Sequence, residues 1–421
     1  MKDKNRRDFL KKVGGGSLAA LADQQAFGGP GKHTSESLSP GTYQIGAYYV
    51  PVFHVDARIE IQHGKGWTEW ELVKRGEAKY QGHQQPKVPL WGYEDESDPK
   101  VFEKKITAAA DHGLQHFIFD WYWYDDGPFL NKALDQGFLH AANNHRLRFS
   151  IMWANHDWHD IHPAKLHAKP PLLYHGAVAR DTFEKMTDYI VKKYFSHPSY
   201  WKIEGRPYFS IYELYRLIEG LGGVSATQEA LQSFRNKTRA QGFPDLHLNA
   251  VLWGLQTLPT EQQITNPNQL LSTLNCDSVT SYVWVHDVGL PHFPVTEYGD
   301  TLRGMVDHWR KTTKSLEVPY FPNVTMGWDP SPRACQSDVY MDAGYPFEAT
   351  LGGNTPARFR EALLAVKEFL GNREDRRKVI TINAWNEWTE GSYLEPDTVH
   401  KMEYLQAIRY VFAPTGNAGS K

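Results

Sequence analysis

What most limits the fold of this chain is a repeat: short apolar runs, each followed by a longer amphipathic stretch. The runs are YQIGAYYVP (43–51), QHFIFDWYWY (115–124), LRFSIMWAN (147–155), PYFSIYEL (207–214), LHLNAVLWG (246–254), DSVTSYVW (277–284), PYFPNVTMGWD (319–329) and KVITINAWNEW (378–388). Between them, apolar spacing predicts helices over 100–113, 129–145, 181–195, 226–241, 298–315 and 355–370, with a closing helix over 399–412. Eight strands alternating with helices predict a parallel sheet closed on itself, a single α/β domain of the (β/α)8 (TIM) barrel type over 43–412. The apolar runs fit burial on both faces. The alternative is an open doubly wound sheet. It is disfavoured because no glycine-rich phosphate turn follows any strand. The excess length falls in the loop 52–98 and in the loops after the sixth and seventh strands.

In such barrels the chemistry sits at the carboxyl ends of the strands. Those ends carry Tyr48 and Tyr49; Asp120, Trp121 and Trp123; Trp153, Asn155, His156 and Asp157; Tyr212 and Glu213; Trp253; Tyr282 and Trp284; Trp328 and Asp329; and Asn386, Glu387 and Glu390. Rings and acids at nearly every strand end predict a carbohydrate cleft, since an amphipathic ring packs on a sugar face while polar neighbours take its hydroxyls. The expected sugar contacts are Tyr49, Asp120, Trp121, Trp123, Trp153, Asn155, His156, Tyr212, Glu213, Trp253, Tyr282, Trp284, Trp328 and Asn386.

Within TINAWNEWTEGSYLEPD (381–397), Glu387 and Glu390 stand three residues apart between aromatic rings. A helical turn after the eighth strand would put both on one face, at roughly 5–6 Å between Cβ atoms. Glycosidic cleavage with retention uses two carboxyl groups at about that separation. Trp385 and Trp388 would desolvate the pair and raise the pKa of one member. The simpler explanation is a helix start enriched in acids by its dipole. A rival catalytic pair within the same fold is Glu213 with Asp329, after the fourth and seventh strands. NHDWHDIH (155–162) offers His156, Asp157, His159 and His162 as metal ligands, but its spacing matches no standard zinc motif, and a substrate loop is the expected role. Neither a metal nor a cofactor is expected.

The formal net charge is −3 and no basic stripe is interleaved with aromatics, so nucleic acid is not an expected partner. No stretch approaches the roughly 20 apolar residues of a membrane span. The two cysteines, Cys276 and Cys335, fit either one disulfide or two buried thiols. NRRDFLKK (5–12), followed by VGGGSLAALA, resembles a bacterial twin-arginine export signal, with Asn5 where Ser or Thr is usual. That resemblance implies a leader over 1–28, a linker over 29–42, the twin-arginine machinery as a partner, and a periplasmic or secreted mature protein ending in a short tail, 413–421.

INAWNEWTEGSYLEPD, together with GAYYVP, FDWYWYDDGPFL, MWANHDW and HPSYWKIEGRPYFSIYEL, resembles the glycoside hydrolase family 99-like group, also called WbsX-like domains. The resemblance spans most of 43–412. The family-99 enzymes proper are retaining endo-α-mannosidases on a (β/α)8 barrel, with a Glu-Trp-His-Glu motif. By position it implies that Glu387 is a base on the sugar 2-hydroxyl, forming a 1,2-anhydro intermediate, and that Glu390 is the general acid and then base. Thr389 stands where the mannosidases have His, which leaves the sugar open. The WbsX-like branch is also linked to glycosyl transfer from activated sugars. An export signal argues against that, since nucleotide-sugars are not expected outside the cytoplasm. A non-catalytic polysaccharide-binding protein is the remaining alternative, and the intact Glu387/Glu390 pair speaks against it.

The export reading predicts that Arg6→Lys/Arg7→Lys traps the precursor in the cytoplasm. Cell fractionation checks it, and unchanged export of the variant would refute it.

Overall fold

The computed structural model describes residues 43–252, 266–373 and 378–413. The expected leader and linker, nearly all of the tail, and Trp253 lie outside these residues. Eight strand positions form one parallel barrel: β1 (Tyr43–Tyr49), β2 (His116–Tyr124), β3 (Arg148–Trp153), β4 (Arg206–Ile211), β5 (His247–Val251), β6 (Ser278–Thr280), β7 (Tyr320–Phe321 with Asn323–Thr325) and β8 (Lys378–Asn383). Each pairs with its sequence neighbour, and β1 also pairs with β8, Ala47 opposite Ile382. The barrel closes through a divided β7. Its first piece pairs with β6 and its second with β8. Pro322 lies between them and has no N–H to give, yet its carbonyl accepts from the Thr381 N–H at 3.1 Å.

The strand starts match the apolar runs to within a residue or so, and every strand but β2 ends before its run does. Asn155 belongs to a loop, Trp328 forms an isolated bridge with Leu351, and Trp284 opens a short helix, Trp284–Val288. Most expected helices are present, among them Pro99–Asp111, Arg180–Ile190, Val224–Ala240, Tyr298–Ser315, Pro356–Gly371 and Glu403–Phe412. Asp98 caps the first of these, its side chain accepting from the Lys100 N–H, with Pro99 opening the turn. The stretch 129–145 departs from expectation. It holds only a π-helical turn, Ala133–Phe138, and a 3-10 turn, Asn144–Arg146. Gly137 presses that turn inward: a Cβ there would stand 2.2 Å from the Glu96 carbonyl oxygen. No helix among the described residues is long and apolar enough to cross a membrane.

The barrel interior is not wholly apolar. Ser210 donates to Asn249 (2.8 Å), Asn249 to Ser278 (2.9 Å), and Asn323 to Thr381 (3.1 Å), so polar residues on neighbouring strands satisfy one another. Cys276 and Cys335 are both free, the first buried and the second half-buried. Burial pushes the Cys276 thiol up to about 12.

His116 packs flat on Trp201, ring centroids 4.0 Å apart, and its imidazole occupies the space beside Gly46. A Cβ on Gly46 would lie 2.1 Å from His116 Nε2. Gly46→Ala should therefore cost about 1–3 kcal/mol through overpacking. Urea unfolding would register this as a lower midpoint, and an unchanged midpoint would show that the ring gives way freely.

Candidate active site

Just past β8 the chain makes a tight hairpin. Asn386–Glu387 pairs antiparallel with Ser392–Tyr393 across the 3-10 turn Trp388–Glu390. The turn closes on Gly391 at φ 64, where a Cβ would also meet the Asp329 Cβ at 2.6 Å. Glycine is required there on both counts. The turn brings Glu387 (5% exposed) and Glu390 (6%) to one cleft, which Asp120, Tyr122, Tyr212, Tyr282 and Arg333 also line.

The two acids are held differently. Glu390 Oε1 accepts from Arg333 Nη1 (2.5 Å) and from Tyr345 Oη (2.6 Å). Any proton on Glu390 is therefore carried by Oε2. Glu387 Oε2 lies 2.9 Å from Tyr282 Oη, which is also 2.8 Å from Asp120 Oδ2. A phenol has one hydrogen. Both contacts are hydrogen bonds only when one of the two carboxyl groups is protonated and donates to the phenol oxygen. Burial pushes Asp120 and Glu387 well above the usual carboxylate range, and the charge of Glu390 adds to this on both. Arg333 and the Tyr282 hydrogen bond pull Glu387 the other way.

Sequence reasoning missed Arg333 and Glu69. Arg333 Nη2 lies 3.4 Å from Glu69 Oε2 and 3.6 Å from Glu387 Oε1, while its Nε donates to Thr389 Oγ1 at 3.1 Å. Thr389 in turn donates to Glu69 Oε2 at 2.8 Å. The position that departs from the mannosidase motif is thus tied into the charge network. Glu69 comes from the loop after β1 and Arg333 from the loop after β7, neither of which carries a motif. The NHDWHDIH loop lies against the cleft through His156, Asp157, Trp158, His159 and His162. Burial lowers His156 and His162 to about 4, so both are neutral at pH 7. Among the described residues no three His, Cys, Asp or Glu side chains are grouped to hold a metal. Among the described residues, Asp120 Oδ1, Trp158 Nε1 and both His159 ring nitrogens are buried without a hydrogen-bond partner.

Of the expected sugar contacts, Asp120, His156, Tyr212, Tyr282 and Trp328 line the cleft with Glu387 and Glu390. Others turn away, and strand alternation is the cause. Asp120 and Tyr122 face the cleft, so Trp121 and Trp123 face the helix layer and meet Tyr189, ring centroids 6.5 and 5.2 Å away. Met152 and Ala154 likewise line the cleft, which sends Trp153 outward against Phe183. Tyr48 packs on Tyr282 (4.7 Å), whereas Tyr49 faces Phe102 and Phe119. Asn155 bonds the backbone N–H (2.8 Å) and C=O (2.7 Å) of Glu213. Trp284 is buried against Tyr298 and donates to the Asn323 carbonyl. Asn386 clamps the backbone of Val50.

The rival pair has other work. Glu213 caps the helix Leu214–Leu221, its carboxylate accepting from the Tyr215 N–H at 2.9 Å. Asp329 accepts from His83 (2.9 Å), Gln85 (2.7 Å) and Ser331 (2.6 Å). Burial alone would raise Asp329, but these bonds and Lys87 outweigh it and hold it well below the usual range.

Residues 45–408 match the family model described as glycosyltransferase WbsX. The chain belongs to this family. Two curated relatives, each described as uncharacterized protein WxcX and drawn from two strains of Xanthomonas campestris pv. campestris, are 28% identical over 408 residues, 93% of this chain and 52% of theirs. The chain thus spans about half the length of these relatives. Among solved structures, the GH99 endo-alpha-mannosidase from Bacteroides thetaiotaomicron is 15% identical with a TM-score of 0.51, covering 87% of this chain and 96% of that one. A glycoside hydrolase-like protein is 14% identical with a TM-score of 0.59, covering 88% and 94%. These likenesses show that this WbsX-family chain has the TIM-barrel fold seen in glycoside hydrolases.

The Tyr282 hydroxyl favours the ionised form of Glu387, so removing it lifts the Glu387 pKa further. A base works only when deprotonated. If Glu387 is the base that the family resemblance implies, Tyr282→Phe should move the acidic limb of the kcat/KM profile to higher pH, with about a 10- to 100-fold loss at neutral pH, the worth of one hydrogen bond to a charged group. A limb that stays in place would sever Tyr282 from Glu387.

Proposed function

We propose that this WbsX-family barrel is a glycoside hydrolase that cleaves an oligosaccharide or polysaccharide with retention. Glu387 takes the proton of the sugar 2-hydroxyl as O2 attacks C1, while Glu390 gives its proton to the departing glycosidic oxygen. Glu390 then takes a proton from water as that water opens the 1,2-anhydro sugar at C1, and Glu387 returns its proton to O2. Both carboxyl groups end as they began. The observation that carries this reading is the convergence of two differently held carboxyl groups on one cleft. Glu390 is oriented by Arg333 and Tyr345 through a single oxygen, and Glu387 sits beside Tyr282 and Asp120. Burial makes the ionised form of Glu387 a stronger base toward the 2-hydroxyl, and in that form the proton shared through Tyr282 sits on Asp120.

The charge of the cleft supports an uncharged glycan over a nucleotide-sugar. Glu69, Asp120, Asp157, Glu387 and Glu390 line it, and Arg333 is the one Lys or Arg among the described lining residues. Arg333 is already engaged by carboxylates, so a donor diphosphate would meet no free cation there. The family's name favours a second reading, transfer of the glycosyl group to a sugar acceptor in place of water. The Arg6–Arg7 motif supports a site of action outside the cytoplasm and therefore hydrolysis.

General acid–base groups contribute about 10²- to 10⁴-fold, so Glu387→Gln and Glu390→Gln should each lose activity on that scale while still binding oligosaccharide. On a substrate with a very good leaving group, Glu390→Gln should recover part of its glycosylation rate and Glu387→Gln should not. A 2-deoxy substrate should be inert even with the unaltered enzyme. Its turnover at a comparable rate would exclude the mechanism, and glycosyl transfer from a nucleotide-sugar without glycan hydrolysis would favour the second reading. Activity kept in both Gln variants but lost in Glu213→Gln and Asp329→Asn would move the chemistry to that pair.

A further inference from the structure

Behind the turn that carries Glu387 lies a second group of charges, which the proposed reaction does not touch. Lys105, on the helix Pro99–Asp111, is 1% exposed, and its Nζ lies 2.7 Å from Glu96 Oε1 and 2.9 Å from Glu395 Oε1. Its remaining hydrogen reaches Tyr49 Oη at 3.1 Å. An ammonium has three hydrogens, and here three oxygens receive them. Burial opposes the charge on Lys105, but Glu395 and Glu96 outweigh it and raise its pKa, so the ammonium persists.

Each of the two carboxylates also holds a neighbour of Glu387. Glu96 Oε1 accepts from Asn386 Nδ2 at 2.7 Å. Glu395 Oε2 accepts from Trp388 Nε1 at 2.8 Å. Asn386 and Trp388 flank Glu387 directly in sequence, and Asn386 is further bonded to both the N–H and the C=O of Val50, each at 2.8 Å. A buried charge cluster of this kind adds little net stability against a well-packed apolar one, because its desolvation cost is high. It does fix geometry.

We propose that Lys105 is a positioning residue for Glu387: by joining Glu96 to Glu395 it fixes the residues on either side of Glu387, and so sets where that carboxylate meets Tyr282 and the substrate. The proposal rests on the reading that Glu387 takes part in the chemistry. A displacement of about 1 Å at a reacting group costs on the order of 100-fold in rate. Lys105 reaches no cleft atom itself, so its effect falls on the chemical step and not on binding.

The test pairs two variants of the full chain. Lys105→Met alone leaves two uncompensated carboxylates in the core, and we expect it to melt early or not to fold. The triple variant Lys105→Met/Glu96→Gln/Glu395→Gln removes all three charges. It keeps amide oxygens to accept from Asn386 and Trp388 but lacks the ammonium that joins them. We expect the triple variant to melt close to the unaltered protein, with kcat lowered about 10- to 100-fold and KM little changed. Its crystal structure should show the Glu387 carboxylate drawn away from Tyr282. A triple variant with normal kcat, a rate loss matched by an equal rise in KM, or a Glu387 unmoved against Tyr282 would overturn the proposal. Should the unaltered protein hydrolyse no glycan, the proposed function fails, and the position of Glu387 in the triple variant still decides this inference.

Discussion

Arg333 is the guanidinium sunk among the carboxylates of the cleft, and the site owes its shape to it. It reaches Glu390 at 2.5 Å, Glu69 at 3.4 Å and Glu387 at 3.6 Å. The partners come from distant parts of the chain: Glu69 from the loop after β1, Arg333 itself from the loop after β7, and Glu387 and Glu390 from the turn after β8. Each ion costs several kcal/mol to bury, and only close, well-directed partners repay it. A planar guanidinium with five directed hydrogens can serve three carboxylates at once, which a lysine ammonium could not do in one plane. Tyr345 and Thr389 complete the set by bonding Glu390 and Glu69.

Around that centre the acids divide their work by what holds them. Asp329 is saturated by His83, Gln85 and Ser331, so it stays ionised and supports the turn. Asp120 has one oxygen on Tyr282 and the other without a partner among the described residues, and burial raises its pKa. Glu387 shares the same phenol. A proton held between Asp120 and Glu387 through Tyr282 is the arrangement in which all three oxygens are satisfied. His156 and His162 of the cleft wall are neutral and add no compensating charge.

Much of the fold was legible in the chain. Eight apolar runs named eight strand positions because a barrel strand must be buried against helices on one side and against the interior on the other. The Glu387/Glu390 spacing signalled a turn that brings both acids together, as it does. The residues expected to line the cleft were less legible. Trp121 and Trp153 are as aromatic as Tyr122 and Trp158, and composition at a strand end does not say which parity faces the cleft. Reading alternation outward from Asp120 would have separated Tyr122 from Trp121 and Trp123. No local signal marks Arg333 or Glu69, since each gains its meaning only from groups about 60 to more than 250 positions away.

By itself the sequence determined the barrel, the paired acids at the end of β8 and a cleft rich in rings, because those depend on local patterning and on strand order. The tertiary structure decided which carboxyl group is paired, which is saturated and which is left with a free oxygen. Those outcomes depend on burial and on charges that meet only when the loops after β1, β3, β7 and β8 close over one space. A carboxylate's chemistry is set by the groups within a few ångströms of it, and distance along the chain does not report them.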